Sequence, residues 1–247
     1  MRLPKILLLV VLVIGCGAGR IESSPEPGLR VLFIGNSLTY ANDLPAIVQA
    51  LSEAANKARL DYKAIALPNY SLEDHWNQGA ARREIAAGKW DVVVLQQGPS
   101  ALMESRRLLV DYTRRFDELI RAGGARTAIY MVWPSKARSK DFDAVAASYT
   151  AAAREVGAEL LPAGRAWQEA FNRKPDAALY SADDFHPSVT GSYLAAIVIY
   201  QQLYNDHQTP PPARLKPRSK ITPKIELSAE EAELLFASAR EACRTER

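Results

Sequence analysis

Cysteine and histidine are scarce in this chain of 247 residues, which has two cysteines and three histidines. The cysteines, Cys16 and Cys243, lie near opposite ends, so a framework of several disulfides is excluded. No two of the histidines, His75, His186 and His207, have the close spacing of a zinc-binding pair. A strong charge of one sign is also missing, since 31 basic residues face 28 acidic ones. Nothing in this balance indicates a nucleic-acid partner.

The longest apolar run, residues 6–14, is too short for a membrane-spanning helix, which needs about 20 residues. It follows two basic residues and predicts a secretory signal peptide over residues 1–15. Its end, Val-Ile-Gly-Cys, resembles a bacterial lipobox, which predicts a lipidated Cys16 and a tether over residues 16–28. We therefore expect an exported lipoprotein, held in the bacterial cell envelope through its N-terminal lipid. A plain signal peptide, whose cleavage removes this cysteine, is the alternative.

The sorting of such a lipoprotein depends on the residue after the lipidated cysteine. That residue is Gly17, which does not resemble the aspartate signal for retention in the inner membrane. The sequence therefore favours the outer membrane.

Apolar strand segments alternate with helical segments through the middle of the chain. The predicted strands are residues 30–34, 62–67, 91–95, 127–133 and 159–161. The predicted helices are residues 45–59, 72–87, 102–122, 142–156 and 189–205. The third strand, Asp-Val-Val-Val-Leu, is almost continuously apolar, as in a parallel sheet covered on both faces. The alternation predicts an α/β fold in which a parallel sheet of about five strands lies between helical layers.

The core domain is predicted over residues 29–207, and a distinct C-terminal part over residues 208–247. Residues 210–223 contain five prolines, which predicts an extended segment. Ser228 followed by Glu231 is a capping-box pattern, which predicts a helix from there to about residue 243. Whether this helix packs on the domain or stands apart as an appendage is left open by the pattern.

Ligands of an open parallel sheet bind beyond the carboxyl ends of its strands, so chemistry is sought there. Gly-Asn-Ser follows the first strand and places Ser37 near the start of a helix. Before the last helix, Asp183 and His186 are three residues apart. The carboxylate can hold one imidazole nitrogen and leave the other facing the serine, as in a Ser-His-Asp triad. The alternatives are a serine that caps a turn and a solvated acidic loop at Asp183 and Asp184.

Gly-Asn-Ser after the first strand, together with Asp-x-x-His-Pro near the end of the domain, resembles the SGNH/GDSL hydrolases. Residues 71–76 and 89–97 are similar to a bacterial lipoprotein branch of that group. The resemblance implies a flavodoxin-like three-layer α/β/α sandwich, no metal or other cofactor, and hydrolysis of acyl esters, often on carbohydrates or lipids. It also implies Ser37 as nucleophile, His186 as base and Asp183 as the acid that orients the base.

The groups that would stabilise an oxyanion depart from the family pattern. The family uses the N–H of a glycine after the second strand, where this chain has Asn69 and Tyr70. It uses an asparagine amide after the third strand, where this chain has Gln96 and Gln97. The resemblance therefore implies Ser37, Asn69, Gln96 and Gln97 as oxyanion-hole candidates. A purely structural role of the two glutamines is the alternative.

Four further residues follow strands or lie close to the serine, and these are candidates for lining the substrate site: Asn36, Tyr70, His75 and Trp133. A structural role on its helix is the alternative for His75, and a place in the core is the alternative for Trp133. The expected function is that of a serine ester hydrolase, with a small-molecule, glycan or lipid ester as substrate.

Three other functions are open at this stage. An α/β-hydrolase normally has Gly-x-Ser-x-Gly in mid-chain, which this chain lacks around Ser37. A non-catalytic surface lipoprotein would bind a glycan or a lipid in the same cleft. A metal site would use carboxylate and imidazole ligands. Its candidates are Asp74, His75, Asp183, Asp184 and His186.

Overall fold

The computed structural model of the protein describes residues 28–245. The predicted signal peptide, Cys16 and all of the tether except Gly28 lie outside the described residues. Within this range, no helix combines the length and the apolarity that a membrane crossing requires.

Five parallel strands form the central sheet, in the spatial order β2-β1-β3-β4-β5. They are β1 Leu29–Gly35, β2 Leu60–Ala66, β3 Val92–Leu95, β4 Arg126–Tyr130 and β5 Glu159–Leu161. This is the flavodoxin-like order, in which the direction of chain progression reverses between β1 and β3. The prediction of an α/β fold with about five parallel strands is confirmed.

Helices cover both faces of this sheet. They are α1 Ser37–Tyr40, α2 Leu44–Ala54, α3 Leu72–Gln78, α4 Ala80–Ala86, α5 Met103–Ala122, α6 Phe142–Val156, α7 Ala163–Arg173, α8 Val189–Leu203 and α9 Ala229–Thr245. Neighbours from α3 to α6 pack against one another, and α2 packs against α8. The result is a three-layer α/β/α sandwich.

The two central strands are buried because both of their faces are covered. All of β3 and residues 31–34 of β1 are at most 1% exposed. Valine, isoleucine and phenylalanine suit such strands, and each side chain of this size stabilises the fold by about 1.5–3 kcal/mol when buried. The carboxyl ends of β1 and β3 are therefore held rigidly, and the chain that leaves them begins from fixed points.

The predicted helices differ from the observed ones in two places. The single helix predicted over residues 72–87 is two helices, α3 and α4, because Gly79 between them has a left-handed backbone with φ of 83°. The helix α7 was not predicted, although Ala163, Ala166 and Ala170 repeat at helical spacing on its buried face.

The C-terminal part is joined to the domain. Its strands β6 (Arg214–Leu215) and β7 (Ile225–Glu226) pair with each other in antiparallel fashion. The predicted capping box of α9 is confirmed, since Ser228 and Glu231 exchange hydrogen bonds between side chain and backbone. This helix packs on α7 and α8 and buries Leu235, Ala239 and Cys243. The C-terminal helix therefore packs on the domain and is not a separate appendage.

Candidate active site

Ser37 is the first residue of α1, two residues beyond the end of β1. The residue before it, Asn36, is extended and caps the helix, because its Oδ1 accepts the N–H of Leu38 at 3.1 Å. We call residues 35–39 the serine turn. As in any first helical turn, the N–H of Ser37 has no acceptor within the helix, and it forms no other bond in the described part of the chain.

The loop that precedes α8, residues 181–188, brings a histidine and a carboxylate to this serine, and we call it the histidine loop. The Oγ of Ser37 lies 2.9 Å from Nε2 of His186. The Nδ1 of His186 lies 2.6 Å from Oδ2 of Asp183. Because a carboxylate only accepts, Nδ1 carries the hydrogen and Nε2 is free to accept the serine hydroxyl. The structure thus brings together the three residues predicted as nucleophile, base and acid.

Asp183 is held by more than the imidazole. Its Oδ1 accepts hydrogen bonds from the hydroxyl of Ser181 at 2.8 Å and from the N–H groups of Phe185 at 3.0 Å and His186 at 2.9 Å. The hydrogen bond with the His186 side chain, followed by these others, holds the pKa of the Asp183 carboxyl well below its ordinary value. The carboxylate therefore stays ionised, and 52% of its side chain is exposed to water, which also favours the charged form.

The histidine loop is anchored to the end of β4 by aromatic side chains. The indole N–H of Trp133 donates to the carbonyl of Phe185 at 3.2 Å, and the hydroxyl of Tyr180 donates to that of Pro134 at 2.7 Å. Trp133 is fully buried and stacks on Trp167, with ring centroids 3.6 Å apart. The prediction that Trp133 lines the substrate site is therefore wrong, because the indole supports the loop from inside the core.

A residue that the sequence analysis missed connects the two parts of the site. Asn42 has a left-handed backbone with φ of 53°, a conformation that asparagine tolerates. Its amide nitrogen lies 3.1 Å from the carbonyls of Pro187 and Ser188 and 2.9 Å from the hydroxyl of Ser192. The segment after Ser37 is thereby tied to the end of the histidine loop. No sequence pattern marks this contact, which spans about 150 residues.

Gln96 and Gln97 do not supply oxyanion donors from their side chains. The Nε2 of Gln96 donates to Oδ1 of Asn36 and to the carbonyl of Gln97. The Nε2 of Gln97 donates to the hydroxyl of Ser100 and the carbonyl of Ser105. Both side-chain hydrogens of each amide are used, and both residues are buried. The oxyanion prediction for this pair is wrong, and the structural alternative is correct.

The turn after β2 retains an unused donor. Asn69 has a left-handed backbone with φ of 61°, and the N–H of Tyr70 bonds to the carbonyl of Leu67 at 3.2 Å. The N–H of Asn69 makes no hydrogen bond in the described part of the chain. The Nδ2 of Asn36 donates to the carbonyl of Tyr70 at 3.1 Å, which holds this turn beside the serine turn. Asn69 therefore remains a predicted oxyanion donor, together with the N–H of Ser37.

Tyr70 and Asn36, which were also predicted to line the substrate site, differ in how far they are buried. Tyr70 is partly exposed and keeps that predicted role. Asn36 is 7% exposed, and its amide holds the Tyr70 carbonyl, so it acts in the structure as a link between two turns.

His75 is fully buried, and its prediction as a lining residue is wrong. Its Nε2 donates to the carbonyl of Gly35 at 2.7 Å, so it braces the serine turn from below. Burial lowers the pKa of His75, although the bond to Gly35 opposes this shift, and the ring is therefore neutral.

Among residues 28–245, no three His, Cys, Asp or Glu side chains group as a metal would require.

A groove of about 770 Å³ lies beside the histidine loop. Phe171 and Tyr180 line it with stacked rings, whose interplanar angle is 15° and whose centroids are 5.8 Å apart. Polar and charged side chains also line it. They include Lys136, Gln168, Asn172, Asp176, Ser181 and Asp184.

A smaller cavity of about 260 Å³ lies near Phe185, whose ring contacts His186 with centroids 5.1 Å apart. It opens between the segments that follow β3 and β4. Apolar side chains of Pro99, Leu102, Pro134 and Phe185 contribute to its lining.

Known protein structures share this fold. No protein-family model matches the chain, and no curated protein matches it. Among solved structures, it is similar to a protein from Slackia heliotrinireducens provisionally assigned to the SGNH hydrolases, with 28% identity and a TM-score of 0.61. That alignment covers 71% of this chain and 99% of the other.

Two more distant structures show the same fold. A DUF4886 family protein from Bacteroides uniformis is 18% identical, with a TM-score of 0.71, and the alignment covers 87% of this chain and 94% of the other. A lipase/acylhydrolase from Enterococcus faecalis is 13% identical, with a TM-score of 0.58, and the alignment covers 77% of this chain and 99% of the other.

Proposed function

We propose that this chain is a hydrolase of the SGNH/GDSL type, which hydrolyses acyl esters through an acyl-enzyme on Ser37. His186 is the general base and Asp183 orients it. The observation that carries the proposal is the continuous hydrogen-bonded chain from Ser37 Oγ through His186 to Asp183. A neutral serine is a poor nucleophile, and a base at this distance is what activates it.

The reaction follows from this geometry. Ser37 Oγ attacks the ester carbonyl carbon while its proton passes to Nε2 of His186, and the carbonyl oxygen becomes an oxyanion. When the tetrahedral intermediate collapses, the bond to the alcohol oxygen breaks and His186 returns the proton to that oxygen. Water then attacks the acyl-enzyme, again through His186, and releases the carboxylic acid. Throughout the cycle, the Asp183 carboxylate stabilises the imidazolium.

The oxyanion is bound by backbone groups in this proposal. The unbonded N–H groups of Ser37 and Asn69 belong to two turns that Asn36 holds together. Such preorganised donors stabilise the charge that develops in the transition state, and each contributes about 2.7–4 kcal/mol where it has been measured by mutation.

The proposed substrate is an acyl ester of a carbohydrate or of a lipid. The groove lined by Phe171 and Tyr180 favours a carbohydrate, because it combines aromatic side chains with polar and charged ones. The smaller cavity near Phe185 suits a short acyl group. An activity screen across acetylated sugars and acyl esters of increasing length tests this choice. Cleavage of long-chain esters alone would contradict it.

Substitution of the nucleophile tests the reaction itself. Ser37→Ala and His186→Ala each lower kcat for a short-chain nitrophenyl ester by at least about a thousandfold. A fluorophosphonate probe labels the wild type at Ser37 and leaves Ser37→Ala unlabelled. The matched control is Ser52→Ala, which removes a buried hydroxyl on α2 and leaves kcat within about twofold. Equal rates in wild type and Ser37→Ala would refute the proposal.

We also propose that the protein is a bacterial envelope lipoprotein, anchored through Cys16 and favouring the outer membrane. Metabolic labelling with a radioactive fatty acid should mark the wild type and the control Cys243→Ser, but not Cys16→Ser. Equal labelling of the two variants would show that Cys16 is not the lipidated residue.

A further inference from the structure

We propose that Gln96 is a positioning residue that aligns both backbone donors of the oxyanion hole, acting through Asn36. This inference rests on the proposed function, because it assigns a role within the same site. Gln96 does not touch the substrate, since it is fully buried beneath the serine turn.

The amide of Gln96 is saturated by the serine turn and its own strand end. Its Oε1 accepts the N–H of Asn36 at 2.9 Å and the hydroxyl of Thr39 at 2.7 Å. Its Nε2 donates to Oδ1 of Asn36 at 3.0 Å and to the carbonyl of Gln97. Because a backbone N–H only donates, the bond from Asn36 fixes which end of the amide is the oxygen.

The Gln96 amide fits beside the serine turn because residue 35 is a glycine, which has no Cβ. A Cβ at this position would lie 2.3 Å from Oε1 of Gln96 and 2.4 Å from Oγ1 of Thr39. Any larger residue would therefore push the amide away from the turn. The glycine of the Gly-Asn-Ser motif thus leaves room for the side chain of Gln96, which directly follows β3.

Asn36 carries the effect of Gln96 to both donors. On one side, Asn36 immediately precedes Ser37, and the bond between the Asn36 N–H and Gln96 fixes the peptide unit directly before the one that carries the Ser37 N–H. On the other side, the Nδ2 of Asn36 holds the carbonyl of Tyr70, next to Asn69. Gln96 fixes the Asn36 side chain through its Oδ1. One buried amide therefore sets the relative placement of two turns that are distant in sequence.

Gln97 provides a natural comparison. It is the next residue, has the same side chain, and is 3% exposed. Its amide, however, bonds to the N–H of Leu72 and to Ser100 and Ser105, none of which belongs to the serine turn. Loss of either amide removes buried hydrogen bonds, but only Gln96 holds Asn36.

The test compares Gln96→Met with Gln97→Met, since methionine is close to glutamine in size and cannot make these bonds. We expect both variants to lower Tm. Gln96→Met should lower kcat for a short nitrophenyl ester by about 10- to 100-fold with KM nearly unchanged, because misplacement by about 1 Å can cost a hundredfold. Gln97→Met should lower kcat by less than about threefold. Equal losses of kcat in the two variants, or a loss expressed in KM, would overturn the inference.

A second variant separates positioning from general support. Gln96→Glu has the same shape, but its ionised form cannot donate to Asn36 Oδ1, whereas its protonated form can. Its kcat relative to wild type at the same pH should therefore rise as the pH falls. A pH-independent ratio would contradict the proposed role of the Nε2 donor.

Backbone amide exchange makes the inference testable apart from catalysis. In Gln96→Met, exchange should accelerate in residues 36–39, whereas Gln97→Met should leave these amides as in wild type. Unchanged exchange in Gln96→Met would overturn the inference even if the enzyme were active. If wild type and Ser37→Ala hydrolysed esters equally, the proposed function would fail, and the exchange result would still decide whether Gln96 orders the turn.

Discussion

The histidine loop and the serine turn are stabilised in opposite ways. In the histidine loop, Asp183 bonds to groups within three residues of itself, and more than half of its side chain is exposed. In the serine turn, Asn36 and Thr39 are held by Gln96, about 60 residues away and fully buried. The acid and base are thus oriented relative to each other by local sequence, whereas the nucleophile and its proposed oxyanion donors are arranged by the core.

This difference has energetic consequences. The exposed ionic contact of the histidine loop contributes little to global stability, since water screens it. The serine turn depends on buried hydrogen bonds, and loss of one partner there leaves a polar group unsatisfied at a cost of about 1–3 kcal/mol. Substitutions in the loop should therefore change chemistry more than folding, whereas substitutions beneath the turn should change both.

The largest effect is expected for Asp183→Asn. The amide cannot stabilise the imidazolium and favours the wrong tautomer, so kcat should fall by about 10²- to 10⁴-fold. The matched control is Asp184→Asn, because Asp184 is equally exposed but pairs with Lys136. A similar loss of kcat in both variants would show that the loop acts only through its overall charge.

The same variant has a pH-dependent effect on stability. The pKa of Asp183 is lowered in the folded protein, so its contribution is present above the ordinary carboxyl value of about 3.9 and is lost as pH falls through the folded value. The Tm difference between wild type and Asp183→Asn should therefore be larger at about pH 6 than at about pH 2. A difference that grows on acidification would contradict this assignment.

A smaller effect is expected for Asn42→Asp, which breaks the link between the two regions. The carboxylate cannot donate to the carbonyls of Pro187 and Ser188, so the free energy of unfolding should fall by about 1–3 kcal/mol. We expect kcat to fall about tenfold, because Ser37 and His186 lose their common anchor. Asn56→Asp is the control, since Asn56 is exposed and has a similar left-handed φ of 53°. Full activity of Asn42→Asp would show that the two regions are positioned independently.

The smallest effect on kcat is expected for Trp133→Phe. It keeps an aromatic ring against Trp167, but it removes the hydrogen bond to the Phe185 carbonyl and leaves a cavity in place of part of the buried indole. The free energy of unfolding should therefore fall by more than the cost of the hydrogen bond alone, which is about 1 kcal/mol. A shift of the histidine loop should lower kcat about threefold. Trp90→Phe is the control, because Trp90 donates to the Glu84 carbonyl at the same distance of 3.2 Å, outside the candidate site. Trp133→Phe should destabilise the protein more than Trp90→Phe, because Trp133 is fully buried and Trp90 is partly exposed, and only Trp133→Phe should lower kcat.

Periodic patterns in the sequence predicted most of the fold. Helix α6 and strand β5 were predicted with the observed bounds, and the apolar residues of α6 follow a clear helical period. The break at Gly79 and the helix α7 were not predicted. A glycine in a helical pattern is often tolerated, so only the observed left-handed backbone shows that this one ends α3.

Part of the candidate site was likewise predicted from the sequence, and part was not. The spacing of Asp183 and His186 predicted their contact, because one tight turn brings residues three apart together. The roles of Asn42, Gln96 and Trp133 could not be predicted, because each bonds to a backbone group at least 52 residues away. Gln96 and Gln97 are identical in type and adjacent, and only their partners distinguish them.

The sequence by itself determined the strand and helix alternation, the serine beside a helix start, and the acid–base spacing, since each depends on residues close together in the chain. The tertiary structure decided which side chains support the serine, which donors remain unbonded, and which aromatic residues are buried. The physical reason is that a buried hydrogen bond must find its partner across the packed sheet, where the distance along the chain carries no information about contact.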